Sequence, residues 1–206
     1  MSEIQFIWPN KDLVLLASGE TGYEWVQPAD RRLDDPLEFE SITTVPLGRR
    51  SNVLAIGDGL DVLEALSTQT SVFKGGIRLV YIDPPFNTQV NFRQYRDSME
   101  RAMWLSMMRD RLTALRSLLA EDASVWVHLD DAEVHRARAV MDEVFGEDAF
   151  VASVVWKKKT TRDSRAAFST NHDTILVYAP SGPIKWKTSR NLLARDNARM
   201  LNRDND

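Results

Sequence analysis

The sequence predicts an α/β fold, a mostly parallel sheet with an antiparallel hairpin at one edge. Three observations carry this. Short apolar runs at residues 53–56, 77–82 and 124–129 stop abruptly at acidic or glycine-containing turns. Runs apolar on both faces read as strands covered on both sides, the habit of parallel sheets. Stretches with helical spacing follow these runs. Two later apolar runs, 149–156 and 173–179, are joined by a charged, polar segment with no helical pattern, which reads as a hairpin with a long loop.

Each element has its own signal. Residues 1–50 are punctuated by Pro9, Gly19, Gly22, Pro28, Pro36, Pro46 and Gly48, and read as an N-terminal extension containing a hairpin. The run at 53–56 ends in Gly57-Asp58-Gly59 and gives way to a helix over 60–66. The run at 77–82, rich in β-branched residues, stops at Asp83-Pro84-Pro85. Asp97-Ser98-Met99-Glu100 has the form of a capping box, and Trp104, Met108, Leu112, Leu115 and Leu119 then recur at three and four residues. Those residues read as core. Asp130-Asp131-Ala132-Glu133 repeats the capping form before Val134, Ala137, Val140, Met141, Val144 and Phe145, with Gly146 placed for a C-terminal cap. After Pro180 the chain is polar and basic, and no further element is expected.

Composition narrows the function classes. The 206 residues can bury roughly 70% of their unfolded surface, so no disulfide or metal staple is required. There is no cysteine, which excludes a disulfide framework, thiolate zinc sites and a cysteine nucleophile. His128, His135 and His172 are not spaced as a zinc-binding pair, and no metal is expected. No run reaches 18 apolar residues, and Glu3, Lys11 and Asp12 break the start of the chain, so the expected location is the cytoplasm. The formal net charge is −4, unevenly spread: residues 1–150 carry 15 basic and 25 acidic groups, residues 151–206 carry 11 and 5. A basic end on an acidic chain can meet a polyanion or simply be solvated.

The chemistry concentrates in Asp83-Pro84-Pro85-Phe86, directly after a buried strand. In open α/β sheets ligands bind at the carboxyl ends of strands. Two prolines stiffen the turn and remove two amide donors. What remains is a set of acceptors, the Asp83 carboxylate and the backbone carbonyls, beside the aromatic face of Phe86. A planar ring bearing an amine suits such a site, and a nucleobase with an exocyclic amine is one. The competing reading is a rigid turn with a structural Asp cap.

Residues 80–88, Val-Tyr-Ile-Asp-Pro-Pro-Phe-Asn-Thr, resemble the catalytic motif of amino-group DNA methyltransferases. The neighbours agree in order. Gly57-Asp58 with 61–66 resembles the acidic motif before it, 104–119 the helix after it, and 123–131 and 142–146 the next two motifs. Residues 154–158 with 171–178 resemble the hairpin beyond. The pattern is similar to the permuted beta class of N6-adenine methyltransferases, which includes modification subunits of type III restriction–modification systems. It covers about residues 50–180, with a weaker echo at 6–12.

The resemblance implies a partial Rossmann-like, S-adenosylmethionine-dependent methyltransferase fold. It also implies methyl transfer from that cofactor to N6 of an adenine flipped out of double-stranded DNA. Asp83 and the Pro84 carbonyl would accept from the amine, Pro85 would stiffen the turn, and Phe86 would stack on the base. Asp58 stands where the family's acid meets the adenine of the cofactor. Lys157, Lys158, Lys159, Arg162 and Arg165 form a basic loop suited to DNA phosphates. Further candidate partners are a restriction subunit and a second copy of the chain. His172 could orient a group near the site, although a structural histidine is the plainer reading. His128 reads as packed in its strand, and Asp130-Asp131 as a helix cap more than a metal pair.

The family's glycine-rich cofactor loop, Phe-x-Gly-x-Gly, has no counterpart in these residues. In the permuted class it follows the target-recognition region. The chain is therefore expected to be the N-terminal portion of a longer enzyme, inactive alone, with poor cofactor binding and with residues 50–70 loosely placed. The expected organisation is an extension over 1–50, a partial catalytic domain over 51–180, and a linker or the start of the target-recognition region over 181–206. The alternatives are a truncated, non-catalytic remnant that binds DNA or a partner, and an N4-cytosine methyltransferase. The latter usually carries Ser at the position of Asp83.

Overall fold

Alternation along one strand builds the centre of the molecule. Val125, Val127 and Leu129 recur every second residue and are fully buried on one face of β8 (Leu119–Leu129). In the computed structural model, which describes residues 5–18, 22–33, 43–47, 50–69, 73–88, 90–91, 96–97, 99–160 and 168–189, β8 lies between β5 (Ile77–Ile82) and β10 (His172–Tyr178). The four-stranded sheet is completed by β9 (Phe150–Lys157), in the order β5-β8-β10-β9. Register places Val80 and Ile82 beside Val125 and Val127. On the other side Leu176 and Tyr178 meet Val127 and Val125.

Two helices cover that face. Trp104, Met108, Leu112 and Leu115 of α2 (Arg101–Arg116) and Ala137, Val140, Met141 and Val144 of α3 (Val134–Phe145) join the strand residues in one core. Burying each large apolar side chain is worth roughly 1.5–3 kcal/mol. Truncating fully buried Leu112 to Ala would cost about 2–5 kcal/mol, because these tightly packed neighbours cannot close the gap. Gly146 ends α3 at φ 93°, and its amide donates to the Asp142 carbonyl at 2.8 Å.

The expected α/β sheet with an antiparallel hairpin at its edge is present. The sheet is mixed, not mostly parallel, among the described residues. β5 and β8 run parallel, whereas β8–β10 and β10–β9 are antiparallel. The run at 53–56 accounts for the difference. Only its first two residues fall in β4 (Arg50–Leu54), which pairs antiparallel with β3 (Thr43–Leu47) in a hairpin of its own. A four-residue apolar run does not carry the identity of its partner.

The other elements are small. β1 (Val14–Ser18) and β2 (Gly22–Val26) form the expected N-terminal hairpin. Their segment is no loose extension. The Trp8 indole donates to Ser106 Oγ at 2.8 Å, Lys11 meets Glu143 at 2.6 Å, and Arg109 donates to the carbonyls of Lys11 and Leu13. β6 (Val90–Asn91) and β7 (Arg96–Asp97) pair antiparallel. α4 (Pro183–Ser189) stands where no element was expected and sets Trp186 edge-on to Trp126 on the sheet's second face. None of the described helices is long and apolar enough to cross a membrane.

Neither capping box forms. α2 begins at Arg101 with Glu100 as the N-cap residue, and no side chain caps it. α3 begins at Val134, so Glu133 is its N-cap residue and not its third, and its carboxylate turns inward. α1 (Gly59–Gln69) does have a side-chain cap: Asp58 Oδ1 accepts from the Leu60 amide at 2.8 Å. An Arg111–Asp58 ion pair at 2.6 Å then ties α1 to α2, whereas β4, just before α1, has no neighbour in the four-stranded sheet among the described residues. The residues leading into α1, Leu54 and Ile56, point apolar side chains into solvent.

Candidate active site

β5 delivers the site. Its last residue, Ile82, packs with the core, and the chain then leaves the sheet as Asp83-Pro84-Pro85-Phe86. Pro84 is buried, Phe86 half-buried, and Asp83 and Pro85 exposed. The Trp104 indole donates to the Pro85 carbonyl at 2.7 Å. That carbonyl is spent. Among the described residues no hydrogen bond or ion pair engages the Asp83 carboxylate, and none reaches the Pro84 carbonyl. The turn thus holds two neighbouring acceptors open beside an aromatic ring.

Asn87 closes the turn in the left-handed conformation, φ 57°, at 3% exposure. Asn tolerates that region better than other side chains bearing a Cβ. Its Oδ1 accepts from the Met99 amide at 2.8 Å, and its Nδ2 donates to Glu133 Oε1 at 3.0 Å.

A cluster of polar side chains backs Phe86 from the neighbouring strands. The ring lies 5.7 Å from that of His128. Tyr81 Oη and His128 Nδ1 are 2.7 Å apart, and His128 Nε2 faces Asp173 Oδ2 at 3.3 Å. Lys158 Nζ reaches the other Asp173 oxygen at 2.5 Å. His128 is therefore packed, as expected, but in contact with the site. His172 opens β10 opposite Lys157, in register with the hairpin. Asp130 Oδ1 accepts from the Ala132 amide at 2.9 Å in a local turn ahead of α3, so it does not cap that helix as expected, and burial raises its pKa.

Asp83, Pro84, Pro85 and Phe86 share one turn. Asp58 lies apart, bonded to the Leu60 amide, the Tyr23 hydroxyl at 2.8 Å and Arg111. Gly59, next to it, lines the same apolar cleft of about 360 Å³ as Pro84 and Pro85. Lys157 ends β9, Lys158 and Lys159 follow it, and all three are exposed, although Lys158 is held by Asp173. Arg162 and Arg165 lie outside the described residues. The sequence pattern does not single out Asn87, and it assigns Trp104 to the core and Glu133 to a cap. Only the Asn after Phe86 offers a local signal, since Asn favours left-handed turns.

The sequence profile described as DNA methylase, covering N6 and N4 methyltransferases, matches residues 77–205. The chain belongs to this DNA methylase family. It is 32% identical over 209 residues to the type III restriction-modification enzyme StyLTI Mod subunit of Salmonella typhimurium, covering 87% of this chain and 30% of that one. To the probable type III HindVI Mod subunit of Haemophilus influenzae it is 37% identical over 108 residues, 52% of this chain and 14% of that one. The chain thus spans less than a third of the length of either relative. Among solved structures it is similar to the cytosine-N4-specific PvuII DNA methyltransferase (TM-score 0.46, 17% identity, 62% of this chain and 49% of that one). A DNA modification methylase of Thermus thermophilus complexed with S-adenosyl-L-methionine gives TM-score 0.46 and 15% identity, covering 68% and 57%.

The described residues do not fit the whole of that cofactor. S-adenosylmethionine carries a base, two hydroxyls, an ammonium and a carboxylate, each wanting a polar partner. The cleft beside Pro84 and Pro85 is lined by Val62, Leu63, Val80, Ile82, Met107 and Met108. Its one charged side chain, Arg111, is paired with Asp58. The described residues do not build a polar cradle for the whole molecule.

Proposed function

We propose that this chain contributes the target-base half of a DNA methyltransferase acting on the N6 amine of adenine. The observation that carries the reading is the turn itself, with the Asp83 carboxylate and Pro84 carbonyl left open while Trp104 occupies the carbonyl of Pro85. The carboxylate accepts one N–H of the amine and the carbonyl the other. Holding both hydrogens aims the nitrogen lone pair out of the ring plane, and the carboxylate opposes the positive charge that grows on nitrogen. Phe86 offers a face on which the flipped base stacks. S-adenosylmethionine, when bound, supplies the electrophilic methyl group. Asp58 holds the α1 end of the cleft in which that cofactor's adenine would lie. Lys157 and Lys159, with Arg162 and Arg165, contact phosphates of double-stranded DNA.

The relatives' names carry over as a further part of this reading: a Mod subunit of a type III restriction–modification enzyme. We further infer a cytoplasmic location and a restriction subunit as partner. The organisation is an N-terminal segment over 1–50, a partial catalytic domain over 51–180 and a connection to target recognition over 181–206.

The test is transfer of labelled methyl from S-adenosylmethionine to duplex DNA by the full-length protein, followed by nucleoside analysis. Label is expected in N6-methyladenine. Asp83→Ala should lower transfer by about 10²–10³-fold with DNA affinity within about twofold of wild type. Label in N4-methylcytosine would correct the base. DNA binding without transfer would make the chain a non-catalytic module.

A further inference from the structure

We propose that Asn87 and Glu133 are positioning residues: a buried side-chain clamp that sets the angle of the Asp83–Phe86 turn. The inference rests on the methyl-transfer reading for its consequence, and on geometry alone for its existence. Glu133 is 1% exposed, an unusual place for a carboxylate, which needs partners when buried. Its Oε1 accepts from Asn87 Nδ2 at 3.0 Å and from Arg101 Nε at 3.3 Å, and its Oε2 from Arg136 at 3.0 Å. The two arginines supply the positive charge that lets the carboxylate stay inside. Asn87 spends its other end on the Met99 amide at 2.8 Å, just before α2.

The turn is therefore bolted at both sides to the helices beneath it. Trp104 of α2 grips the Pro85 carbonyl, and Glu133, at the start of α3, grips the residue after Phe86 through Asn87. Between these two points lies only Phe86. Asn87 must hold φ 57°, and its side-chain bonds to Met99 and Glu133 fix which way the chain leaves that conformation. A nucleophile must be aimed to within fractions of an ångström. Loss of the clamp leaves Asp83 and Phe86 chemically intact and free to swing.

The experiment compares Asn87→Gly, Glu133→Ala and Glu133→Gln with wild type in the full-length protein. Asn87→Gly keeps the left-handed backbone accessible and removes the side-chain bonds, and the chain entropy that Gly adds is read in the thermal melts. Glu133→Gln keeps an acceptor for Asn87. Two readouts are taken on each: hydrogen exchange at the Met99 amide, and kcat and KM for methyl transfer to duplex DNA. Asn87→Gly and Glu133→Ala should speed exchange at Met99 by about tenfold or more. They should lower kcat by about 10²-fold with KM for S-adenosylmethionine within about twofold. Glu133→Gln should recover most of both losses. Unchanged exchange at Met99 overturns the clamp. So does a kcat kept within about twofold, or a kcat loss that merely tracks the fraction unfolded in thermal melts. If the wild type transfers no methyl group, the reading of the activity falls, and Met99 exchange still decides the clamp.

Discussion

The Trp104 indole nitrogen donates to the Pro85 carbonyl at 2.7 Å, joining the core of α2 to the turn that carries Asp83. The same ring is fully buried among Leu105, Met108 and the β8 valines of the core. Trp104→Phe removes the donor and leaves a carbonyl to find water or go unpaired. It should cost about 1–3 kcal/mol in urea denaturation. Methyl transfer should fall further than the stability loss accounts for, because Phe cannot take up Pro85 and a third acceptor opens beside Pro84. Equal transfer per folded molecule would show that the bond serves the core alone.

How much of this is legible in the sequence depends on the range of the interaction. β5 and its acidic stop are readable because a mostly apolar run and the prolines are local signals, although the expected cover on both faces is not found: Leu79 and Tyr81 are exposed. Glu133 is misread for a physical reason. Asp-x-x-Glu before an apolar run has the form of a capping box, and the partners that turn this carboxylate inward, Asn87 and Arg101, lie 46 and 32 residues away. α4 escapes for a related one. It has seven residues, too few to form on propensity, and owes its place to Trp186 on Trp126 and to Lys185 on Glu121.

The three adjacent lysines should behave differently. Lys158 is engaged with Asp173, which is itself buried and faces His128. Lys157 and Lys159 are exposed. Removing both Lys157 and Lys159 should reduce the salt slope of DNA binding by about two, roughly one for each phosphate no longer neutralised. Lys158→Ala should leave that slope nearly unchanged and cost about 1–2 kcal/mol of folding stability, since it strips a charged partner from a buried carboxylate. A slope that falls equally for each lysine would show that Lys158 leaves Asp173 to meet DNA.

Tyr23 joins the N-terminal hairpin to the helices. Its hydroxyl donates to Asp58 Oδ2 at 2.8 Å and accepts from Arg111 at 2.8 Å. Tyr23→Phe should destabilise the protein by about 1 kcal/mol, the net worth of such a bond. Burial, and then the Asp58 carboxylate, push the Tyr23 pKa above 10. A raised folded-state pKa means that this contribution is whole below the unfolded value and is lost as pH rises through the folded one. The difference between wild type and Tyr23→Phe, measured by urea midpoints, should therefore hold flat from about pH 7 to 9 and shrink only in stronger alkali.

Asp110 should prove a liability at neutral pH. It sits on α2 with its side chain 13% exposed, and Arg109 meets only Oδ1, at 2.6 Å. Among the described residues Oδ2 has no hydrogen-bond partner. Burial, the largest influence, raises its pKa above 3.8 despite Arg109, the Leu15 backbone and Arg111. Between the unfolded and the raised folded value, the folded state binds more protons. On this account stability rises as pH falls through that window and is lost again as pH rises. Asp110→Asn carries no such charge. The variant should be more stable than wild type at about pH 7, and the gap should narrow as pH falls and close near pH 3.8. Other acids titrate in both proteins and cancel in the difference. Urea midpoints of the pair at several pH values read the sign directly. A gap of the opposite sign at neutral pH would mean that the Arg109 pairing outweighs the burial of the charge.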